Sequence, residues 1–311
     1  MRCCAMGVFV VTFLVSTTML IRYFVQSREQ DQEYSNMAGL MESLLATAPS
    51  RPVPTQSATR PTTPPPTETA PESSVPTNPP TTVPEPSVTV PEPTVAPTQP
   101  PVTDPPVTEP LPPVVHPDVS RIMPQYLPFY QKNADMVGWI QIPDTKVNYP
   151  VMQTPNNPDY YLKRNFDRIA SDWGAIYVRE SCDVFTPSDN QTIYGHHMKD
   201  GSMFAGLLKY KTKSYWETHK YIHYDTLYEY HTYEIFAVFK TSADIGKGYP
   251  YHRFENAATQ EEFDNFVSSV KGLSFYDTGI TPTFGDKLIA LSTCEYTLNN
   301  GRFVVVARRI S

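Results

Sequence analysis

Cysteine is scarce in this chain: four in 311 residues, with no C-x-x-C and no framework spacing. That excludes a disulfide scaffold and a thiolate zinc site. There is no H-E-x-x-H, and no third ligand stands at a typical spacing from the pair His196-His197, so neither a metal nor a cofactor is implied. Positive charge is also short, with 25 Lys and Arg against 32 Asp and Glu, a net charge of −7. Segment 49–118 carries −5 of this (two arginines against seven carboxylates), which leaves only −2 for all the rest. No basic face remains for DNA or RNA, and nucleic-acid binding is excluded.

Proline, by contrast, is abundant: 33 residues, 24 of them between Pro49 and Pro117. Such a stretch has too little apolar matter to offset the entropy of ordering it and cannot form a packed core. Polyproline II geometry is its expected local state. Two compatible readings follow for 49–118: an extended spacer that holds a domain away from a surface, and a disordered linker open to glycosylation on threonine.

Cys3–Ile21 is a run of 19 residues without charge. As a helix it would span about 28 Å, close to the ~30 Å hydrocarbon core of a bilayer. A cleaved signal peptide would have a shorter apolar region and a small-x-small site, where this chain has Ile21-Arg22-Tyr23-Phe24. The expectation is therefore a cytoplasmic tip and single transmembrane anchor over 1–24, a weakly helical juxtamembrane segment over 25–48, and an extracellular globular part, as in a single-pass cell-membrane protein.

From about Val119 the composition shifts to Tyr, Phe, Ile and Val. Eight short β-type runs follow at 139–142, 146–151, 174–179, 191–194, 221–224, 229–240, 287–293 and 302–309. With turn residues between them, they predict an all-β fold with peripheral helices, a barrel or sandwich rather than a parallel α/β sheet. A helix near 121–136 is interrupted by Pro124 and Pro128. Another starts at the capping box Thr259-Gln-Glu-Glu262, presents Phe263, Phe266, Val267 and Val270 at helical spacing, and has Gly272 as its stop. That stripe reads as core packing.

The last two runs, Lys287-LIALSTC-Glu295 and Arg302-FVVVARRI, flank Asn299-Asn300-Gly301, residues that tolerate a tight turn. A hairpin symmetric about Leu298 sets Cys294 opposite Arg302, on one face of the sheet. A neighbouring guanidinium favours the thiolate and can stabilise an oxyanion once a carbonyl is attacked. The plainer reading is a buried small residue beside a surface charge. A thiol nucleophile needs an acid–base partner. His196 and His197 follow a β run and a glycine in Gln191-TIYGHHMKDGSMF, whereas His219, His223, His231 and His252 sit among tyrosines that read as barrel surface. Cys182 reads as a packed strand-end thiol.

Three motifs, in order, resemble the sortase family and its class B in particular: Tyr-Gly-His-x-Met-Lys-Asp-Gly-Ser-Met-Phe, Leu-Ser-Thr-Cys at the end of the penultimate strand, and the Arg opening the last strand. Gly138-WIQIPDTKVNYPVMQ and Tyr160-YLKRNF agree, and the helix at 259–271 resembles the extra helix that class B carries between strands six and seven. The resemblance covers roughly 120–311, the whole globular part. It implies an eight-stranded sortase-type barrel and a cysteine transpeptidase that cleaves sorting motifs of exported surface proteins in Gram-positive bacteria and passes them to an amine of a peptidoglycan precursor or a pilin. Carried over residue by residue, Cys294 is the nucleophile, His196 (directly after the glycine) the general acid/base, and Arg302 the oxyanion and substrate-positioning group. Leu162, Ser292, Thr293 and Glu295 match positions that line the peptide groove. The family often has an asparagine just ahead of its Tyr-Leu segment, where this chain has Asn157-Pro158-Asp159. A wall-associated binding module with a decayed site and a metal-dependent hydrolase are the rival classes, distinguished by whether activity depends on Cys294 or on a chelatable ion.

Overall fold

The computed structural model describes residues 2–48, 50–51, 117–244 and 246–311. The expected spacer at 49–118 thus lies outside the described residues except for Ser50, Arg51, Pro117 and Asp118. Eight strands form a closed barrel: β1 (Met136–Gln141), β2 (Asn148–Met152), β3 (Ile176–Val178), β4 (Asn190–Tyr194), β5 (Tyr221–Thr226), β6 (Thr232–Ser242), β7 (Leu288–Glu295) and β8 (Gly301–Arg309). They close in the order β1-β2-β3-β4-β7-β8-β6-β5. Most neighbours are antiparallel, but β2 pairs with β3 and β4 with β7 in parallel. The second pairing decides the site, because it brings the end of β4 beside the end of β7: Tyr194 stands opposite Ser292.

β7 and β8 read as near-continuous apolar runs because both their faces are buried. Ile289, Leu291, Phe303 and Val305 point into the barrel, whereas Leu288, Ala290, Val304 and Val306 meet a second apolar cluster outside it. That outer cluster is completed by α4 (Gln260–Leu273), whose buried side chains are Phe263, Phe266, Val267 and Val270, as the sequence pattern predicts. The Thr259 hydroxyl caps the Glu262 N–H. Gly272 does not stop the helix, which runs to Leu273 and is closed by Ser274. Pro124 and Pro128 reduce the helix expected near 121–136 to a 3-10 turn at Val119–Arg121 and a short α2 (Leu127–Lys132) with its proline in the first turn. Another short helix, α3 (Lys213–Thr218), precedes β5.

The amino-terminal reading needs correction. A single helix, α1 (Arg2–Leu45), runs through both the expected anchor and the expected juxtamembrane segment. Among the described residues, no helix is long and apolar enough to cross a membrane. The carboxy-terminal part of α1 lies on the barrel, with Tyr34, Met37 and Met41 buried there.

Arg51 is also tied to the barrel. Its guanidinium is bidentate to the buried Asp225 carboxylate (2.7 and 2.5 Å) and lies over the Tyr230 ring, 4.8 Å from its centroid. Asp225 further accepts from the Tyr126 hydroxyl (2.6 Å) and the His231 N–H (3.0 Å). Removing one partner of such a buried pair leaves the other charge uncompensated. Arg51→Ala is therefore expected to destabilise the fold by about 3 kcal/mol, read as a lower urea midpoint with an unchanged slope.

Burial holds four histidines, His196, His223, His231 and His252, below their usual pKa, and His223 is lowered to about 4 by burial and then by Arg51. An unfolded histidine takes its proton near pH 6.5, while these folded ones resist it. The unfolded chain therefore binds more protons in this window, and stability falls as pH drops from 6.5 towards 4. Melting curves at pH 7.5 and 4.5 should show the loss, and His223→Gln should make it shallower.

Candidate active site

Period two along β7 and the tight turn after it set up the site. The hairpin register pairs Thr293 with Phe303, Cys294 with Arg302 and Glu295 with Gly301. Asn300 adopts φ +47°, the left-handed turn conformation that the Asn-Asn-Gly sequence supplies. Cys294 and Arg302 therefore stand side by side at the end of the sheet. A cleft of about 630 Å³ opens over them, and its walls include His196, Leu162, Ser292 and Thr293. His196 reaches it because β4 ends beside β7 and Gly195 follows. A side chain at Gly195 would drive its Cβ to 2.5 Å from the Ile176 Cδ1 and 2.7 Å from the Phe204 ring. A larger residue there would force Ile176 and the Phe204 ring to move.

The His196 ring is oriented by one hydrogen bond, Nε2 to the Leu162 carbonyl at 2.6 Å. A carbonyl only accepts, so Nε2 carries a proton and Nδ1 is the position free to exchange one. Burial lowers the ring's proton affinity, partly offset by the Leu162 bond; Lys163 lowers it further and Asp172 raises it. His197 is engaged elsewhere. Its Nδ1 donates to the Cys294 carbonyl (3.2 Å), and its ring lies 5.2 Å from that of Tyr296. Arg302 donates to the Gly301 carbonyl (3.0 Å) and to Asn300 (Oδ1, 3.2 Å), so its own turn holds it. Among the described residues no hydrogen bond joins the Cys294 thiol, the His196 imidazole and the Arg302 guanidinium to one another; they share the cleft's walls.

Glu295 does not line the cleft. Its buried carboxylate accepts from the Thr297 N–H (2.9 Å) and hydroxyl and pairs with Lys211 (3.5 Å). Those bonds tie its side chain to the turn and to Lys211. Cys182 is buried, with its thiol pushed up to about 12 by burial, and Cys182 and Cys294 are both free.

Several cleft residues escape a reading of the sequence. Tyr251 and His252 come from the long connection between β6 and β7, Arg179 from the end of β3, and Asp159 from the turn before Leu162. The Tyr251 hydroxyl meets the Ser292 hydroxyl at 2.6 Å. Burial raises its pKa, and it feels both Arg302 and Cys294. Asp159 adopts φ +55° and accepts from Tyr177 (2.7 Å). His252 is depressed by burial and then by Arg179, Arg253 and Arg302, so it is no barrel-surface histidine; nor is His231, which is buried. The Tyr-His-Arg cluster at 251–253 is the available signal, but nothing local ties it to a cysteine more than forty residues away.

Comparison with known proteins decides the family. A family model described as the sortase domain matches residues 140–310. The chain is 33% identical over 193 residues to sortase B of Staphylococcus aureus, covering 61% of this chain and 77% of the relative. It is 34% identical over 181 residues to sortase B of Listeria monocytogenes, covering 58% and 71%. The chain belongs to the sortase family, class B. Among solved structures, the Staphylococcus aureus sortase B–substrate complex aligns with a TM-score of 0.56 at 31% identity, over 61% of this chain and 86% of that one. The sortase match begins within β1 and ends with β8, so it includes every strand that contributes to the cleft.

Proposed function

We propose that this sortase is a cysteine transpeptidase that cuts a sorting motif in an exported protein and passes the acyl part to an amine of the cell wall, either a peptidoglycan precursor or a pilin lysine. The Cys294 thiolate attacks the carbonyl of the motif's threonine, forming the S–C bond. Arg302 donates hydrogen bonds to the resulting oxyanion. As the oxyanion collapses the C–N bond breaks, and the Nδ1 proton of His196 goes to the leaving amine, leaving a thioacyl enzyme. The acceptor amine then attacks the thioester, His196 takes up its proton, and the thiolate departs. With water in place of the amine, the same steps give hydrolysis.

The observation that carries this reading is the hairpin register: Cys294 opposite Arg302 beneath a cleft that His196 also lines. Leu162, Ser292, Thr293, Tyr251 and His252 are the side chains offered to the peptide. The test is cleavage of a labelled peptide library by the full chain, with glycine oligomers as acceptors. A single scissile bond after threonine and an acceptor-dependent product are expected. A wild-type chain that neither cleaves nor transfers any member would refute the proposal in favour of a binding module, and chelator-sensitive turnover would refute it in favour of a metal hydrolase.

A further inference from the structure

Among the described residues α1 contributes none to the cleft, yet it bonds to both loops that define where the His196 ring sits. The first loop carries His196 itself. It closes on its own backbone through Phe204 N–H to the His196 carbonyl (2.9 Å) and a bridge between His197 and Met203. Asp200 is its hub. One carboxylate oxygen accepts from the Ser202 N–H (2.9 Å) and hydroxyl (2.5 Å); the other accepts from the Trp173 indole (2.9 Å) and from the Ser27 hydroxyl of α1 (2.9 Å). The Met203 N–H donates to the Tyr149 hydroxyl (3.0 Å), and the Tyr149 ring packs edge-on against Tyr34 of α1 at 5.2 Å.

The second loop, 164–174, follows Leu162, whose carbonyl holds the ring. α1 grips it three times: Glu33 accepts from Asn165 (2.9 Å), Gln30 accepts from Ser171 (2.9 Å), and Tyr34 donates to the Gly174 carbonyl (2.9 Å). The loop and the residue that follows it in turn fix the backbone on either side of Leu162, through Ala175 N–H to the Tyr161 carbonyl (3.0 Å) and Ser171 N–H to the Lys163 carbonyl (3.0 Å).

We propose that α1, acting through Asp200 and the 164–174 loop, is a positioning element for His196, holding the ring and its Leu162 acceptor in register with each other. The proposal rests on His196 being the acid–base group. Burial lowers the His196 pKa, with Lys163 and Asp172 on the loop side, and Cys294 and Arg302 line the cleft it enters. A ring released from this setting gains solvent and titrates closer to the usual 6.5.

The test uses the full chain and the double variant Ser27→Ala, Tyr34→Phe. The expected result is an upward shift of the His196 ring titration, followed by NMR, and a fall in kcat on the order of tenfold with KM within about twofold. Ser27→Thr, which keeps the hydroxyl, should titrate and turn over as wild type. Val267→Ala in α4, which removes packing from the outer cluster, should lower the melting temperature without moving the His196 titration. If the double variant leaves that titration in place, or Val267→Ala moves it equally, the proposal fails. Because the titration needs no turnover, a wild-type chain without transpeptidase activity would refute the function and still leave the positioning measurable.

Discussion

Replacing Cys294 by alanine is expected to lower peptide cleavage and transfer by at least about 10⁴-fold, since removal of a nucleophile takes away the whole covalent route. Nothing else described in the cleft replaces it. The Ser292 hydroxyl is buried and engaged with Tyr251 at 2.6 Å, and Thr293 is buried too. Cys182 is sealed in the domain, and its thiol is pushed up to about 12. Cys294 is only half-buried, so the variant should fold with a melting temperature within a few degrees of wild type. Chromatographic assay of cleaved and transferred products, with the melting curve alongside, checks both parts. Retention of more than about a tenth of wild-type activity would show that another group attacks the peptide.

His196→Ala should lower kcat/KM for an amide substrate by about 10²–10⁴-fold, the usual range for a positioned acid–base group. His197 cannot take over, because its Nδ1 is already bonded to the Cys294 carbonyl and its ring lies against Tyr296. The proposed role concerns a departing amine, and this gives a sharper test than the size of the loss. If the scissile amide is replaced by a thioester, the leaving group departs as a thiolate and needs no proton. His196→Ala should then recover to within about tenfold of wild type, whereas Cys294→Ala should remain inactive. Equal losses on amide and thioester would point to a structural role for the ring.

Much of the barrel is legible locally. Strand-forming runs bounded by turn residues, the Thr259 capping box and the Asn299-Asn300-Gly301 turn depend on neighbours a few residues apart, and the structure has strands or caps at each. The pairing of Cys294 with Arg302 belongs with them, because a hairpin's register follows from its turn. Glu295 illustrates the reverse. The family resemblance puts it in the groove, while its carboxylate is held by the Thr297 N–H and Lys211, and Lys211 is a partner that no local pattern in β7 announces. Tyr251, His252 and Arg179 are beyond such reasoning. Tyr251 and His252 reach the cleft only because a 45-residue connection between β6 and β7 folds back over the end of the sheet, and Arg179 only because β3 ends beside it.

α1 marks the boundary most clearly. Its composition at the start suggests a separate anchor, and no periodicity announces that Ser27, Gln30, Glu33 and Tyr34 find partners at Asp200, Ser171, Asn165 and Gly174, far along the chain. The amino-acid sequence alone determined the strands, the helix caps, the turn and the residue types able to do thiol chemistry, since each is fixed by local sterics and alternation of apolar side chains. Only the closed tertiary structure decided which of those residues share a cleft, where the His196 proton rests and what supports the ring, since the parallel pairing of β4 with β7 and the docking of α1 depend on surfaces that exist only once the barrel has closed.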